Sequence, residues 1–179
     1  MPQTIKLRET SKAGCTAEAK LGLLARFPAS SLMGRPEEGE VDPIRVVIVE
    51  DDENYREIVS SELAWHGFAV SSFANGDELL GSLDAAAEAD VIVLDWRLPT
   101  ISGIDLLLQL QQRSVNVPLV FLTSHTQPAN EQLAFERGAL DFIDKTRGVE
   151  ALASRLRQVV QSWQALLGLP AGQGGRKRS

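Results

Sequence analysis

Five short apolar runs recur along the middle of this chain: IRVVIV (44–49), FAVSSF (68–73), VIVLD (91–95), VPLVFLT (117–123) and LDFID (140–144). Runs of this length, bounded by turn residues and rich in valine and isoleucine, read as strands, and those without polar interruption read as strands covered on both faces. A helix-patterned stretch follows each one. EDDENYREIVSSELAWHG (50–67) predicts a helix with Tyr55, Ile58, Val59 and Leu63 facing inward and Gly67 as its stop. GDELLGSLDAAAEA (76–89) predicts a second helix, weakened by Gly81, and GIDLLLQLQQR (103–113) a third. PANEQLAFERG (128–138) ends at Gly138, and a last helix from about Val149 to Leu167 carries the stripe Val149, Leu152, Leu156, Val159, Val160, Trp163, Leu167. Strands alternating with helices five times over imply one doubly wound, five-stranded parallel sheet with helices on both faces. In such sheets ligands and chemistry collect beyond the carboxyl ends of the strands.

The polar residues at those ends form a set. The first strand stops at Glu50, Asp51 and Asp52, the third at Asp95, the fourth at Thr123 and Ser124, and the fifth at Asp144 and Lys145. A single aspartate after a strand is an ordinary turn residue. Several carboxylates on one rim are not ordinary, because each raises the pKa of the others unless a cation neutralises them. A hard, all-oxygen donor set suits Mg²⁺, Lys145 adds an ammonium, and Thr123 adds a hydroxyl. A carboxylate nucleophile at Asp95 with metal, ammonium and hydroxyl around it is equipped for phosphoryl transfer.

These residues, with DWRLP (95–99), LTS (122–124) and FIDK (142–145) in order, resemble the receiver domain of bacterial two-component response regulators, a CheY-like, flavodoxin-like (βα)5 fold. The resemblance covers roughly residues 44–163. It implies that Asp95 is the phosphoacceptor, loaded from a sensor histidine kinase or phosphotransfer protein. It also implies that Asp51 binds Mg²⁺ directly, Glu50 binds it through water, and the backbone carbonyl of Arg97 completes the protein's share of the shell. Thr123 and Lys145 would hold phosphoryl oxygens, and Phe142 falls where the family keeps a switch aromatic. Such a domain is no conventional enzyme, yet it promotes its own phosphorylation from phosphohistidine and the hydrolysis of its own aspartyl phosphate. Its output would pass through the face made by the fourth helix, fifth strand and fifth helix, where Asp141 and Arg155 occupy positions that carry interfacial charges in regulators that dimerise through that face.

Two positions depart from the family pattern. Thr146 follows the lysine where the family usually has a proline in a cis bond, and a cis bond without proline costs ~3 kcal/mol. Phe142 lacks a tyrosine hydroxyl. Among the neighbours, Asp52 is a further candidate at the metal site, and Arg97 is expected to lie over the site and affect the hydrolytic water. His125 reads as an exposed loop residue, Trp96 as packing or surface, His66 as a cation at a helix C-terminus, and Trp65 and Trp163 as core.

The remaining sequence bounds these readings. Residues 44–163 carry nine basic and eighteen acidic side chains, against balanced charge in 1–43 and a net +3 in 164–179, giving −6 in all. An acidic domain repels phosphate backbones, which excludes direct nucleic-acid binding by that domain. The same repulsion at Glu50–Glu53 excludes a flavin or nucleotide phosphate loop. No run approaches the ~20 apolar residues that span a bilayer, and the lone Cys15 permits no intrachain disulfide. A cytoplasmic protein is expected. Residues 1–43 read as a largely disordered extension in which Met33 is an alternative start, 44–167 as the receiver domain, and 168–179 as a flexible Gly-rich basic tail or a truncated linker. The alternative function is a phosphorylation-independent interaction module on the same fold.

Overall fold

The computed structural model describes residues 42–169; the expectations for the extension up to Val41 and for the tail from Pro170 lie outside the described residues. Five strands form: β1 (Arg45–Val49), β2 (Ala69–Phe73), β3 (Val91–Leu94), β4 (Leu119–Thr123) and β5 (Asp141–Asp144). The helices are α1 (Glu53–Trp65), α2 (Gly76–Leu80), α3 (Leu83–Glu88), α4 (Gly103–Gln112), α5 (Pro128–Glu136) and α6 (Val149–Leu166), with a 3-10 turn over Lys145–Arg147. Every strand pair is parallel, in the order β2-β1-β3-β4-β5. This is the doubly wound sheet that the sequence predicts. The order reverses between β1 and β3, which places a crevice at their carboxyl ends.

Side chains alternate across the sheet and feed two cores. Val46, Ile48, Val91, Val93, Val120 and Leu122 meet Val59 and Leu63 of α1 and Leu152, Leu156 and Val160 of α6. Val47, Val49, Ile92, Leu94 and Phe121 face the other way, onto Leu79, Leu106, Leu110 and Ala134. Fully burying each large apolar side chain contributes about 1.5–3 kcal/mol, so the three central strands anchor both layers. Edge strand β2 differs: Ser71 and Ser72 are exposed and only Val70 and Phe73 lean on the cores.

The ends of the helices follow local chemistry. Asp52 accepts the Tyr55 N–H at 3.0 Å to cap α1, and Ser102 accepts the Asp105 N–H at 3.2 Å to cap α4. Gly67 and Gly138 take φ of +85° and +98°, so both expected stops are present.

Four expectations need correction. Trp65 is 84% exposed rather than core. The inward stripe of α1 is Tyr55, Val59 and Leu63, spaced by four, and a residue two places past Leu63 points about 200° away. Ile58, at the edge of that stripe, is 53% exposed. The single helix over 76–89 is two, because Gly81 ends α2 and Ser82 precedes α3. Leu167 follows the last turn of α6 and is exposed, whereas Trp163 is half-buried.

Candidate functional site

The carboxyl ends of β1, β3 and β5 bring their polar residues together. One carboxylate oxygen from each of Glu50, Asp51 and Asp95 falls within 4.8 Å of the others. Glu50 and Asp95 are 3% and 8% exposed, while Asp51 faces solvent. From β5, Lys145 places its Nζ 2.6 Å from Glu50 Oε2 and 2.9 Å from Asp95 Oδ2. Residues 95 places apart in the chain thus share one ion cluster because three parallel strands end at one level.

Burial is the largest single influence on both Glu50 and Lys145, but it sets the net direction only at Glu50. It lifts the Glu50 carboxyl above its ordinary value, and the hydrogen bond and charge of Lys145 offset part of that rise. Burial alone would depress the Lys145 ammonium, but its hydrogen bonds to Glu50 and Asp95 and their charges carry it above its usual value. The lysine is therefore a fixed positive charge at neutral pH. Against it lies the ring of Tyr55, with Nζ 4.6 Å from the ring centroid. Burial pushes the Tyr55 phenol up to about 12, so this ring stays neutral.

The loops around the cluster are tied from several directions. The Arg56 guanidinium donates to the Glu50 carbonyl at 2.6 Å, which braces the turn from β1 into α1. Asp144 accepts the Thr146 N–H at 2.8 Å and starts the 3-10 turn that aims Lys145, so the sequence KTRG reaches the site without the family's proline. After β3, the chain loops out and returns at Gly103, whose N–H donates to the Trp96 carbonyl at 3.1 Å. A Cβ at Gly103 would collide with the Asp95 carbonyl oxygen and the Phe121 ring. Only glycine permits that approach.

The other residues singled out by sequence take varied places. Thr123 is fully buried at the end of β4 and its Oγ1 accepts the His125 N–H at 3.1 Å. Phe142 is half-buried, its ring 5.9 Å from Trp96 and 6.0 Å from Phe121. Trp96 is accordingly packing. Arg97 donates its backbone N–H to Asp95 Oδ1 at 3.4 Å, while its exposed side chain makes no ion pair among the described residues, and the expectation of a head group over the site gains no support. Asp52 is a cap. His66 caps the end of α1, and the cation at its carbonyl is Arg157, at 2.6 Å. Asp141 and Arg155 pair within the chain through two bonds of 2.7 Å.

Comparison with known proteins places this geometry. The family model for the response regulator receiver domain matches residues 46–157. The chain belongs to this family. As a receiver of two-component signal transduction, it is similar to the DNA-binding transcriptional regulator NtrC of Salmonella typhimurium, with 29% identity over 66% of this chain and 25% of NtrC. It is equally similar, at 29% identity, to response regulator MprA of Mycolicibacterium vanbaalenii, over 66% of this chain and 51% of MprA. The chain therefore spans a quarter to about half of these curated relatives. Among solved structures, the chemotaxis response regulator CheY4 of Vibrio cholerae shares 28% identity with a TM-score of 0.60, over 65% of this receiver and 98% of CheY4. The BeF3-activated DrrB receiver domain shares 25% identity with a TM-score of 0.59, over 66% of this chain and 98% of that domain.

Two features of the site escaped sequence reasoning. Gly103 sits four residues past Pro99, and its role depends on how the loop folds back. The contact of Tyr55 with Lys145 joins residues 90 positions apart, which no local pattern encodes. Asp52, read from the sequence as a candidate at the metal site, is also the residue type that caps a helix start, which is the place it takes.

Proposed function

We propose that this receiver accepts a phosphoryl group on Asp95 from the phosphohistidine of a sensor histidine kinase or phosphotransfer protein. The observation that carries this reading is the Lys145 ammonium lying 2.9 Å from Asp95 and 2.6 Å from Glu50, with Asp51 alongside. An Asp95 oxygen forms the new O–P bond as the P–N bond breaks, and the electron pair returns to the donor imidazole. Lys145 pairs with one phosphoryl oxygen, and the Thr123 hydroxyl donates to another.

The donor set fits Mg²⁺. Three clustered carboxylate oxygens are hard ligands, and a site open on the Asp51 side leaves room for the waters that this ion retains. Asp51 and Asp95 would hold it directly, Glu50 through water, and Arg97 through its backbone carbonyl. When bound, the ion supplies charge neutralisation for the transferring phosphoryl oxygens. Hydrolysis closes the cycle: water forms a bond to phosphorus, the bond to Asp95 breaks, and phosphate, a free carboxylate and a proton result.

Phosphorylation would draw Thr123 and Phe142 into a new arrangement and alter the face built by α5, β5 and α6. That face would control an output partner or output domain, and it is where phosphorylation-dependent homodimers would form. Dimerisation there would require the Asp141–Arg155 pair to exchange partners. A light-scattering mass that stays the same with beryllofluoride would remove the dimer from this reading.

The deciding experiment is intact-mass spectrometry after incubation with acetyl phosphate and Mg²⁺. One phosphoryl group is expected on the wild type, and none on Asp95→Asn or without metal. No adduct together with no beryllofluoride binding would overturn the proposal in favour of a phosphorylation-independent interaction module.

A further inference from the structure

We infer that Tyr55 is a positioning residue for Lys145, its ring face holding the ammonium at the acceptor site while the carboxylates around it change partners. The inference rests on the phosphoryl-acceptor reading above and names a residue outside the acceptor, metal and switch positions assigned there.

The ammonium has three neighbours: Glu50 Oε2, Asp95 Oδ2 and the Tyr55 ring, at 2.6 Å, 2.9 Å and 4.6 Å to the centroid. A cation within about 6 Å of an aromatic centroid is attracted by the ring quadrupole, and more strongly where water is excluded. Here water is largely excluded, since the Lys145 side chain is 13% exposed.

The two carboxylates are transient partners. Once Asp95 carries a phosphoryl group it is a mixed anhydride whose carboxyl oxygens hold no charge, and Lys145 must turn from them to a phosphoryl oxygen. Glu50 is claimed by the metal shell when the ion is bound. The ring is the partner that neither event alters, because it is uncharged and binds neither phosphorus nor metal.

Tyr55 is also firmly mounted. It lies in the first turn of α1, where its N–H is fixed by Asp52 at 3.0 Å, and its body packs on the core beneath the sheet. Arg56 next to it clamps the preceding loop onto the Glu50 carbonyl. Lys145, by contrast, hangs from a three-residue 3-10 turn. A long, flexible side chain on a short turn gains most from a rigid contact, since ordering a lysine has a high rotamer cost. The interaction uses the ring face rather than the hydroxyl, so phenylalanine should substitute for tyrosine and leucine should not.

The test combines two measurements on the full chain. In the metal-free, unphosphorylated protein, the Lys145 ammonium resonance is followed by ¹H–¹⁵N NMR in wild type, Tyr55→Phe and Tyr55→Leu. In parallel, the rate of phosphoryl uptake from acetyl phosphate is measured for the same variants and for Tyr55→Leu combined with Lys145→Met. A slowly exchanging ammonium signal is expected in wild type and Tyr55→Phe but not in Tyr55→Leu. Uptake should fall by about tenfold in Tyr55→Leu, as expected for losing a partly desolvated cation–π contact, and remain near wild type in Tyr55→Phe. In the Lys145→Met background, Tyr55→Leu should change nothing further.

A general structural role for Tyr55 would instead lower uptake by the same factor in both backgrounds, and that result would overturn the inference. So would an unchanged ammonium signal in Tyr55→Leu, or a loss in Tyr55→Phe equal to that in Tyr55→Leu. If wild type itself took up no phosphoryl group, the acceptor reading would fail, while the metal-free NMR comparison would still decide whether the ring holds Lys145.

Discussion

Thr146 shows how one residue can replace a family device with another. Its N–H bonds to Asp144, and the resulting 3-10 turn aims Lys145 at Glu50 and Asp95. Thr146→Pro would delete that donor and push Lys145, now the residue before a proline, out of its helical conformation. Phosphoryl uptake in Thr146→Pro should therefore drop by about a hundredfold, in line with the loss of one positioned electrostatic partner. Uptake at the wild-type rate, followed by mass spectrometry, would refute this account of the turn. Gly103 is a second single-residue constraint. Gly103→Ala should destabilise the fold by about 1–3 kcal/mol through overpacking, because the new methyl meets the Asp95 backbone and the Phe121 ring. Urea unfolding measures this, and an unchanged midpoint would mean that the loop relaxes freely.

The elements differ in how fully their sequences specify them. Strands β1, β3 and β4 are buried runs of valine, isoleucine, leucine and phenylalanine, legible as strands at sight. Helix α6 was equally legible, from its apolar stripe. The region of α2 and α3 was not, because its pattern continues across a weak point whose outcome depends on packing. Gly81 has φ −75° and ψ −13°, values any residue can adopt, and a Cβ there meets only ordinary contacts of 3.4 Å. Gly81→Ala should therefore stabilise the protein by about 0.4–1 kcal/mol, chiefly by restricting the unfolded chain. A lower melting temperature would show that the break between the two helices is needed. On α1, the error over Trp65 has a geometric cause. An apolar residue near a helix end invites a core assignment, but the stripe through Tyr55, Val59 and Leu63 already fills the face that meets the sheet.

For the whole molecule, the sheet behaves as a platform that forces acidic groups together. Glu50 and Asp95 are buried, and Lys145 is their counter-charge within the protein. A divalent cation bound beside them should stabilise the native state by mass action, about 2.7 kcal/mol at a hundredfold excess over Kd. Adding MgCl₂ should thus raise the melting temperature of wild type, and a chelator should reverse the rise. Asp51→Asn, which alters the most exposed of the three carboxylates, should abolish most of the effect. Equal stabilisation of both proteins by Mg²⁺ would locate the ion elsewhere. Among the described residues no helix is long and apolar enough to cross a membrane.

The sequence alone determined the alternation of strands and helices, the parallel sheet, and the polar residues at its rim. Those follow from local periodicity and from the rule that each strand must bury its apolar side chains. It named Glu50, Asp51, Asp95, Thr123 and Lys145 as one set because each is a polar residue where an apolar strand ends. Only the tertiary structure decided which partners those residues meet: Lys145 between two carboxylates and the Tyr55 ring, Asp141 held by Arg155, and Gly103 against the Asp95 backbone. These contacts join segments far apart in the chain, and their distances are set by strand register and helix packing, which no local pattern of residues records.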